Sequence, residues 1–173
     1  KGAYWDAEIK RAQERGLEGY PVFSRKLGTD VSFLACARYV LERPQAFRAM
    51  FASHNAHTIA AVAALAGDRR DYEFQRLHGM GEALYRAALE EGNRGVCCRV
   101  YAPVGSHEEL LPYLVRRLLE NGANSSFVNR IVDEEAPIDD LIGDPVAALE
   151  GLEERPHPHI VLPTALYGEE RRN

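Results

Sequence analysis

The chain lacks an excess of cationic side chains: 21 Lys and Arg stand against 26 Asp and Glu in 173 residues, a formal net charge of -5. Neutralising phosphates needs clustered Lys and Arg that acids do not match, so a general nucleic-acid binder is excluded. The short pair Arg69-Arg70 reads as a solvated turn. Cysteine is scarce, and Cys36, Cys97 and Cys98 give neither an even disulfide framework nor metal-ligand spacing. Buried, reduced thiols are expected. No apolar run approaches the ~18 residues of a membrane span, and no charged-then-apolar leader opens the chain, so a cytoplasmic protein is expected. What is present, 46% hydrophobic and 27% charged residues, suits a globular protein with one core.

Four apolar, strand-like stretches recur, each followed by a helical pattern, which is the signature of β-α units on a parallel sheet. The first is Lys1 to Trp5, read as a strand cut through. A helix follows from Asp6, its expected N-cap, to about Arg15, with a stop at Gly16. An excursion with Gly19, Pro21 and Gly28 precedes a second helix entering at Thr29-Asp30 and running through Phe33, Leu34, Ala37, Val40 and Leu41. Such an inserted loop is a candidate for function. The later units are Phe47 to Ser53 with Thr58 to Ala66, Tyr72 to Leu77 with Glu82 to about Leu89, and Val96 to Tyr101 with a long helix opening at Ser106. A last helix near Asp144 to Leu152 leads to the linker-like Arg155-Pro156-His157-Pro158-His159. Four units are half of an eight-unit barrel, which needs ~250 residues. An open four-strand α/β sheet fits the alternation as well.

The helix from His107 to Asn121 has the firmest boundaries. Ser106 and Glu109 form a capping box, and Gly122 sits where a left-handed stop belongs. At ~100° per residue, Leu110, Leu111, Leu114, Val115, Leu118 and Leu119 share one broad face, expected to pack. Tyr113, Arg116, Arg117 and Glu120 share the opposite one. A solvated face is the plain explanation of such a cluster. Two details weigh against it: Arg116 before Glu120 is the less favourable order for an i,i+4 pair, and Glu120 in the last turn opposes the macrodipole. Adjacent arginines beside an aromatic ring suit a small carboxylate, because guanidinium offers planar paired donors that Lys lacks.

Other candidates are weaker. His54 and His57 have metal-like spacing, but no nearby Cys, Asp or Glu completes a site, and ordinary loop hydrogen bonds suffice. Gly79-x-Gly81 is too short for a phosphate fingerprint and reads as a strand-to-helix turn. His157 and His159 lie in a proline-rich stretch, a remote metal option.

Lys1-Gly2-Ala3-Tyr4-Trp5, Ser53-His54-Asn55-Ala56-His57, Gln75-Arg76-Leu77-His78-Gly79-Met80-Gly81, Tyr101-Ala102-Pro103-Val104-Gly105 and Tyr113-Leu114-Val115-Arg116-Arg117-Leu118-Leu119-Glu120-Asn121 stand in the order found in proline dehydrogenases. The chain closely resembles the proline dehydrogenase domain of the bacterial bifunctional proline utilization A flavoenzymes. The resemblance covers nearly the whole chain, and the stretch from Phe127 to Tyr167-Gly168 looks like the bifunctional form.

That resemblance implies an α/β fold, a (βα)8 TIM-type barrel of which this chain supplies the C-terminal four β-α units and the last helix. Residues 1–135 would be that half-barrel, and 136–173 a helical tail and linker toward an aldehyde dehydrogenase domain. By analogy Arg116 and Arg117 clamp the proline carboxylate, Glu120 orients them, and Tyr101 and Tyr113 wall the ring, with Tyr4 and Leu77 nearby. Lys1, Gly2, Ala3 and Trp5 match a flavin-binding segment, and Ser24, Ser53, His54, Gln75, Glu120 and Phe127 match other flavin-lining positions. No metal is implied. The expected cofactor is FAD, with NAD only in the downstream domain. L-proline would be oxidised to pyrroline-5-carboxylate by hydride transfer to FAD, and electrons would pass to a membrane quinone, placing the protein in the cytoplasm or peripherally at the inner membrane. The full enzyme is expected to be a homo-oligomer. The half that would supply a lysine and an aspartate of the proline site is not in this chain, so the chain alone is expected to be incomplete. The alternative is a non-redox α/β module binding a small amino acid or anion through Arg116 and Arg117.

Overall fold

Among the described residues three short strands, β1 (Met50–Ala52), β2 (Glu73–Leu77) and β3 (Cys97–Tyr101), pair in parallel in the order β1-β2-β3. The structure, a computed structural model, describes residues 4–91, 95–122, 137, 139 and 142–168. The helices are α1 (Trp5–Arg15), α2 (Lys26–Leu41), α3 (Ala56–Ala66), α4 (Glu82–Tyr85), α5 (His107–Gly122) and α6 (Pro145–Glu150). A wider π turn over Arg86–Glu91 continues α4, and a 3-10 turn covers Pro163–Ala165. Every strand is followed by a helix, as the alternation in the sequence predicts.

The chain divides into two units, one of Lys1–Phe33 with Gly143–Asn173 and one of Leu34–Ile142. In the larger unit, register places Phe51, Phe74 and Cys98 side by side on one sheet face. Phe74 is fully buried there among the rings of Tyr72 at 5.5 Å, Tyr85 at 5.9 Å and Phe51 at 6.4 Å. Ile59, Val62, Ala63 and Ala66 of α3 complete this core. Helix α3 starts where Asn55 Oδ1 accepts the Thr58 N–H at 3.2 Å, removing one orphan donor of the first turn. The other sheet face carries a polar group: Glu73, 4% exposed, accepts two hydrogen bonds from Arg99 at 2.7 and 2.8 Å and one from Gln75 at 3.0 Å. These contacts hold the Glu73 carboxyl down at about 2, the Arg99 bonds being the largest cause.

The smaller unit ties the tail to the early excursion. Ile9 and Ala12 of α1 are buried, α1 packs against the Pro163–Ala165 turn, and Pro163 is fully buried. Tyr20 donates to the Val161 carbonyl at 2.7 Å, Arg25 to the Pro156 carbonyl at 3.0 Å, and the His157 N–H to Ser24 Oγ at 2.9 Å. The stretch that reads as a linker is therefore fastened to the loop before α2.

Several expectations need correction. Asp6 does not cap α1: the cap position is Tyr4, and no side-chain cap bond forms there. Helix α2 starts at Lys26 rather than Thr29, helped by a Lys26–Asp30 ion pair one turn apart, and so it contains Gly28. A Cβ at Gly28 would lie 2.9 Å from the Phe23 ring, so the glycine serves a close approach inside the helix rather than a turn. The thiols are not buried: Cys36 and Cys97 are exposed and Cys98 is intermediate. Lys1 to Ala3, most of the expected first strand, fall outside the described residues, while Trp5 already belongs to α1.

Candidate active site

In the larger unit, the carboxyl ends of the strands are where the expected site residues gather. Ser53 and His54 follow β1, Leu77 ends β2, and Tyr101 ends β3, with Leu77 and Tyr101 direct register partners. Parallel sheets bind ligands at this end because the loops and helix N-termini that follow the strands converge there.

Helix α5 turns its polar face inward. Tyr113, Arg116, Arg117 and Glu120 are half-buried, whereas Leu111, Leu114, Val115, Leu118 and Leu119 are exposed, the last two at 71% and 70%. This reverses the expectation that the leucine face packs. The reason lies in the partners: Tyr101 shares a hydrogen bond with Tyr113 and feels the charges of Arg117 and Glu120, so the polar face lies toward the end of β3. Burial first, and then Tyr113, push the Tyr101 phenol above its ordinary value. The Arg117 guanidinium stands 4.9 Å from the centre of the Tyr113 ring, a cation–π distance. Its Nε lies 3.3 Å from Glu120 Oε2, a charge contact too poorly aligned to be a hydrogen bond. At the start of α5 the capping box is half formed: the Ser106 N–H donates to Glu109 Oε2 at 3.0 Å, while the Ser106 side chain hydrogen-bonds Glu108.

His54 is fixed as a neutral imidazole. Its Nε2 accepts the Leu77 N–H at 3.2 Å, which places its proton on Nδ1. Burial, then the charges of Arg76 and Arg117, hold its pKa below the ordinary histidine value. Ser53 Oγ accepts the Asn55 N–H at 3.2 Å, and the Gln75 amide is engaged with Glu73 and, at 3.5 Å, with Met50 Sδ. The sequence reading gave no role to Arg76, whose Nη1 donates to the Met80 carbonyl at 3.2 Å, nor to Tyr85. No spacing marks either residue: Arg76 bears by its charge on His54 of the preceding β-α unit, and Tyr85 donates to the Ser53 carbonyl of that unit.

Tyr4, Trp5 and Ser24 belong to the smaller unit. Tyr4 is 54% exposed, Trp5 donates its indole N–H to the Phe23 carbonyl at 2.8 Å, and Ser24 carries the His157 bond. Lys1, Gly2, Ala3 and Phe127 lie outside the described residues. Among the described residues no group of three or more His, Cys, Asp and Glu could hold a metal.

A parallel α/β unit with an arginine-rich, tyrosine-walled cluster at the carboxyl ends of its strands defines a candidate binder of a small carboxylate. The family profile described as Proline dehydrogenase matches residues 1–130. The chain belongs to the proline dehydrogenase family. It is 58% identical over 185 aligned residues to the bifunctional protein PutA of Salmonella typhimurium, covering 100% of this chain and 14% of that protein. It is 33% identical over 133 residues to the mitochondrial proline dehydrogenase 1 of Homo sapiens, covering 71% and 21%. Among solved structures, a variant of Bradyrhizobium japonicum proline utilization A matches with a TM-score of 0.91 and 54% identity, covering 100% of this chain and 18% of that one. The chain thus spans about 14% of the length of the curated PutA relatives it matches.

Proposed function

We propose that residues 1–135 are the C-terminal half of a (βα)8 proline dehydrogenase barrel and that 136–173 lead from it toward an aldehyde dehydrogenase domain. The parent enzyme oxidises L-proline to 1-pyrroline-5-carboxylate, with FAD as hydride acceptor and a membrane quinone as the final electron acceptor. NAD is confined to the downstream domain. The observation that carries this reading is the inward-facing Tyr113, Arg117 and Glu120 set beside Tyr101 on a chain of this family.

Arg116 and Arg117 hold the proline carboxylate, Glu120 fixes the Nε edge of Arg117, and Tyr101 and Tyr113 bound the ring. With the carboxylate held, the ring carbon next to nitrogen is kept in one orientation, which removes rotational freedom before the reaction. The hydride leaves that carbon, the nitrogen lone pair forms the C=N bond, and the nitrogen gives up its proton. The flavin supplies the two-electron acceptor. The groups at the strand ends fit such a cofactor: an uncharged His54 with its proton on Nδ1 and the Ser53 hydroxyl as donors, and the Glu120 carboxylate as an acceptor. Ser24, Gln75, Trp5, Tyr4, Leu77, Lys1, Gly2, Ala3 and Phe127 complete the proposed contacts to flavin and proline. The enzyme is proposed to work in the cytoplasm or peripherally at the inner membrane; among the described residues no helix is long and apolar enough to cross a membrane. A homo-oligomer of the full enzyme is part of the same reading.

Adding proline anaerobically to the parent enzyme tests the proposal. Bleaching of the flavin's visible band is expected. An unbleached band with measurable proline binding would leave a non-redox binding module instead.

A further inference from the structure

The β1-β2 ladder stops one step early, and two side chains take over its bonds. The Glu73 N–H donates to the Ala49 carbonyl at 3.1 Å, and Ala52 is the register partner of Gln75. In a parallel ladder donors and acceptors advance two residues at a time, so the Leu77 N–H would next meet the Ser53 carbonyl. It does not. The Leu77 N–H goes to His54 Nε2 at 3.2 Å, and the Ser53 carbonyl takes the Tyr85 hydroxyl at 2.5 Å. That hydroxyl also lies 3.1 Å from the Gln75 carbonyl, so it fills the opening between the two strands. Between β2 and β3 the pairing instead runs on, with the His78 N–H on the Tyr101 carbonyl at 2.7 Å.

Two further features fit the same arrangement. Tyr85 is 4% exposed, and its ring is held against Phe74 at 5.9 Å, so its hydroxyl has a fixed position. Burial, the largest cause, pushes its phenol well above the ordinary value and keeps the donor proton in place. Gly81, at φ 68°, closes the slot from the other side: a Cβ there would lie 2.9 Å from His54 Cδ2. The Gly81 position therefore requires glycine twice, for its left-handed backbone and for the imidazole that lies against it.

We propose that Tyr85 is a positioning residue of the active site: by holding the splayed end of β1 it keeps His54 as a fixed, uncharged hydrogen-bond donor beside Arg117. The proposal rests on the proline dehydrogenase reading above. The charged groups that bear on His54 are Arg76 of β2 and Arg117 of α5. A protonated Nε2 could not accept the Leu77 N–H and would add a third positive charge beside these two. Without the Tyr85 hydroxyl, Ser53 is released, the imidazole gains water, and its titration moves up toward the ordinary histidine value of about 6.5.

The test uses the full-length parent enzyme and two readouts across pH 5.5 to 8, the rate of flavin reduction by proline and the Kd for FAD. Tyr85→Phe is expected to introduce a step near about pH 6.5 in both, with several-fold loss on the acid side, that the parent lacks. His54→Gln keeps an acceptor for the Leu77 N–H but cannot titrate, so Tyr85→Phe/His54→Gln is expected to lack the step. A Tyr85→Phe enzyme with the parent's profiles, or a step that persists in the double variant, overturns the proposal. Should Tyr85→Phe not accumulate as folded protein, Gly81→Ala crowds the same imidazole with the hydroxyl intact, and its failure to show the step is equally decisive. A parent enzyme that binds FAD but is not reduced by proline would refute the functional reading alone, since the FAD-affinity profiles still test the positioning role.

Discussion

Arg117→Lys in the parent enzyme should weaken proline binding far more than it slows turnover. With the Nε side of Arg117 facing the Glu120 carboxylate at 3.3 Å as a charge contact, the edge left for a substrate carboxylate is the terminal nitrogen pair. Lysine has one nitrogen and must share it between Glu120 and the substrate. The loss is one of two parallel charge-assisted bonds, about 1.5–3 kcal/mol. A further ~0.5 kcal/mol comes from the contact with the Tyr113 ring, since the Arg117 side chain is 20% exposed and the guanidinium stacks where an ammonium does not. Together these give about 2–3.5 kcal/mol, a rise in KM of roughly 30- to 300-fold at 1.4 kcal/mol per tenfold. The carboxylate is held equally before and during hydride loss, so most of the effect falls on KM and less on kcat. Steady-state kinetics with proline as the varied substrate measure both. A KM within about twofold of the parent would mean that Arg117 does not hold the carboxylate.

Tyr113→Ser should relax the wall of the ring pocket and raise the relative kcat/KM for 4-hydroxyproline over proline, and an unchanged ratio would place the ring elsewhere. Phe74→Ala, which removes a fully buried ring from among three aromatic neighbours, should cost about 3–5 kcal/mol, read as a lowered denaturant midpoint for flavin release from the parent enzyme. Glu73 is depressed from 4.5 to about 2 in the folded state, so its stabilising contribution is complete above 4.5 and is lost as pH falls toward 2. Arg99→Met should therefore flatten the acid limb of the stability profile between those values, and an unaltered limb would refute the pairing. The 173-residue chain expressed alone should self-associate and bind FAD substoichiometrically, and a monodisperse monomer with stoichiometric FAD in size-exclusion chromatography would contradict this.

The β-α alternation was legible because it rests on local signals: short stretches anchored by aromatic and apolar residues, Gly16 as a left-handed stop, and Asp144 at the start of the last helix. Boundaries shifted where a side-chain contact that no residue pattern records decides them. Helix α2 gains a turn because Gly28 admits the Phe23 ring, a packing fact that makes the glycine look like a loop residue when read alone. The Tyr113, Arg117 and Glu120 cluster was visible because helical spacing places those residues on one face. The Tyr85 and His54 arrangement was not, because the two bonds that define it join residues 23 and 32 positions apart in different β-α units. No periodicity within one element records such a pairing.

The same limit explains why the faces of α5 were read the wrong way round. Amphipathicity identifies two faces, but it names the inward one only if the interior is apolar, and the Tyr101, Arg76 and His54 surroundings at these strand ends are not. The half-buried Arg117 and Glu120 neutralise one another and the Arg117 guanidinium lies over the Tyr113 ring, so the polar face can be drawn toward the strand ends without leaving an isolated charge. The leucine face is then exposed, with Leu118 and Leu119 more than two-thirds accessible among the described residues. Adjacent exposed leucines of this kind are a liability in a free monomer and are retained where another surface covers them. In a chain that spans about 14% of its curated relatives, the remainder of the same polypeptide is the cover this reading proposes. On this reading the residues proposed to hold the substrate and those proposed to meet the rest of the enzyme share one helix, so a substitution at Leu118 or Leu119 is expected to act on assembly and to leave the Arg117 edge intact.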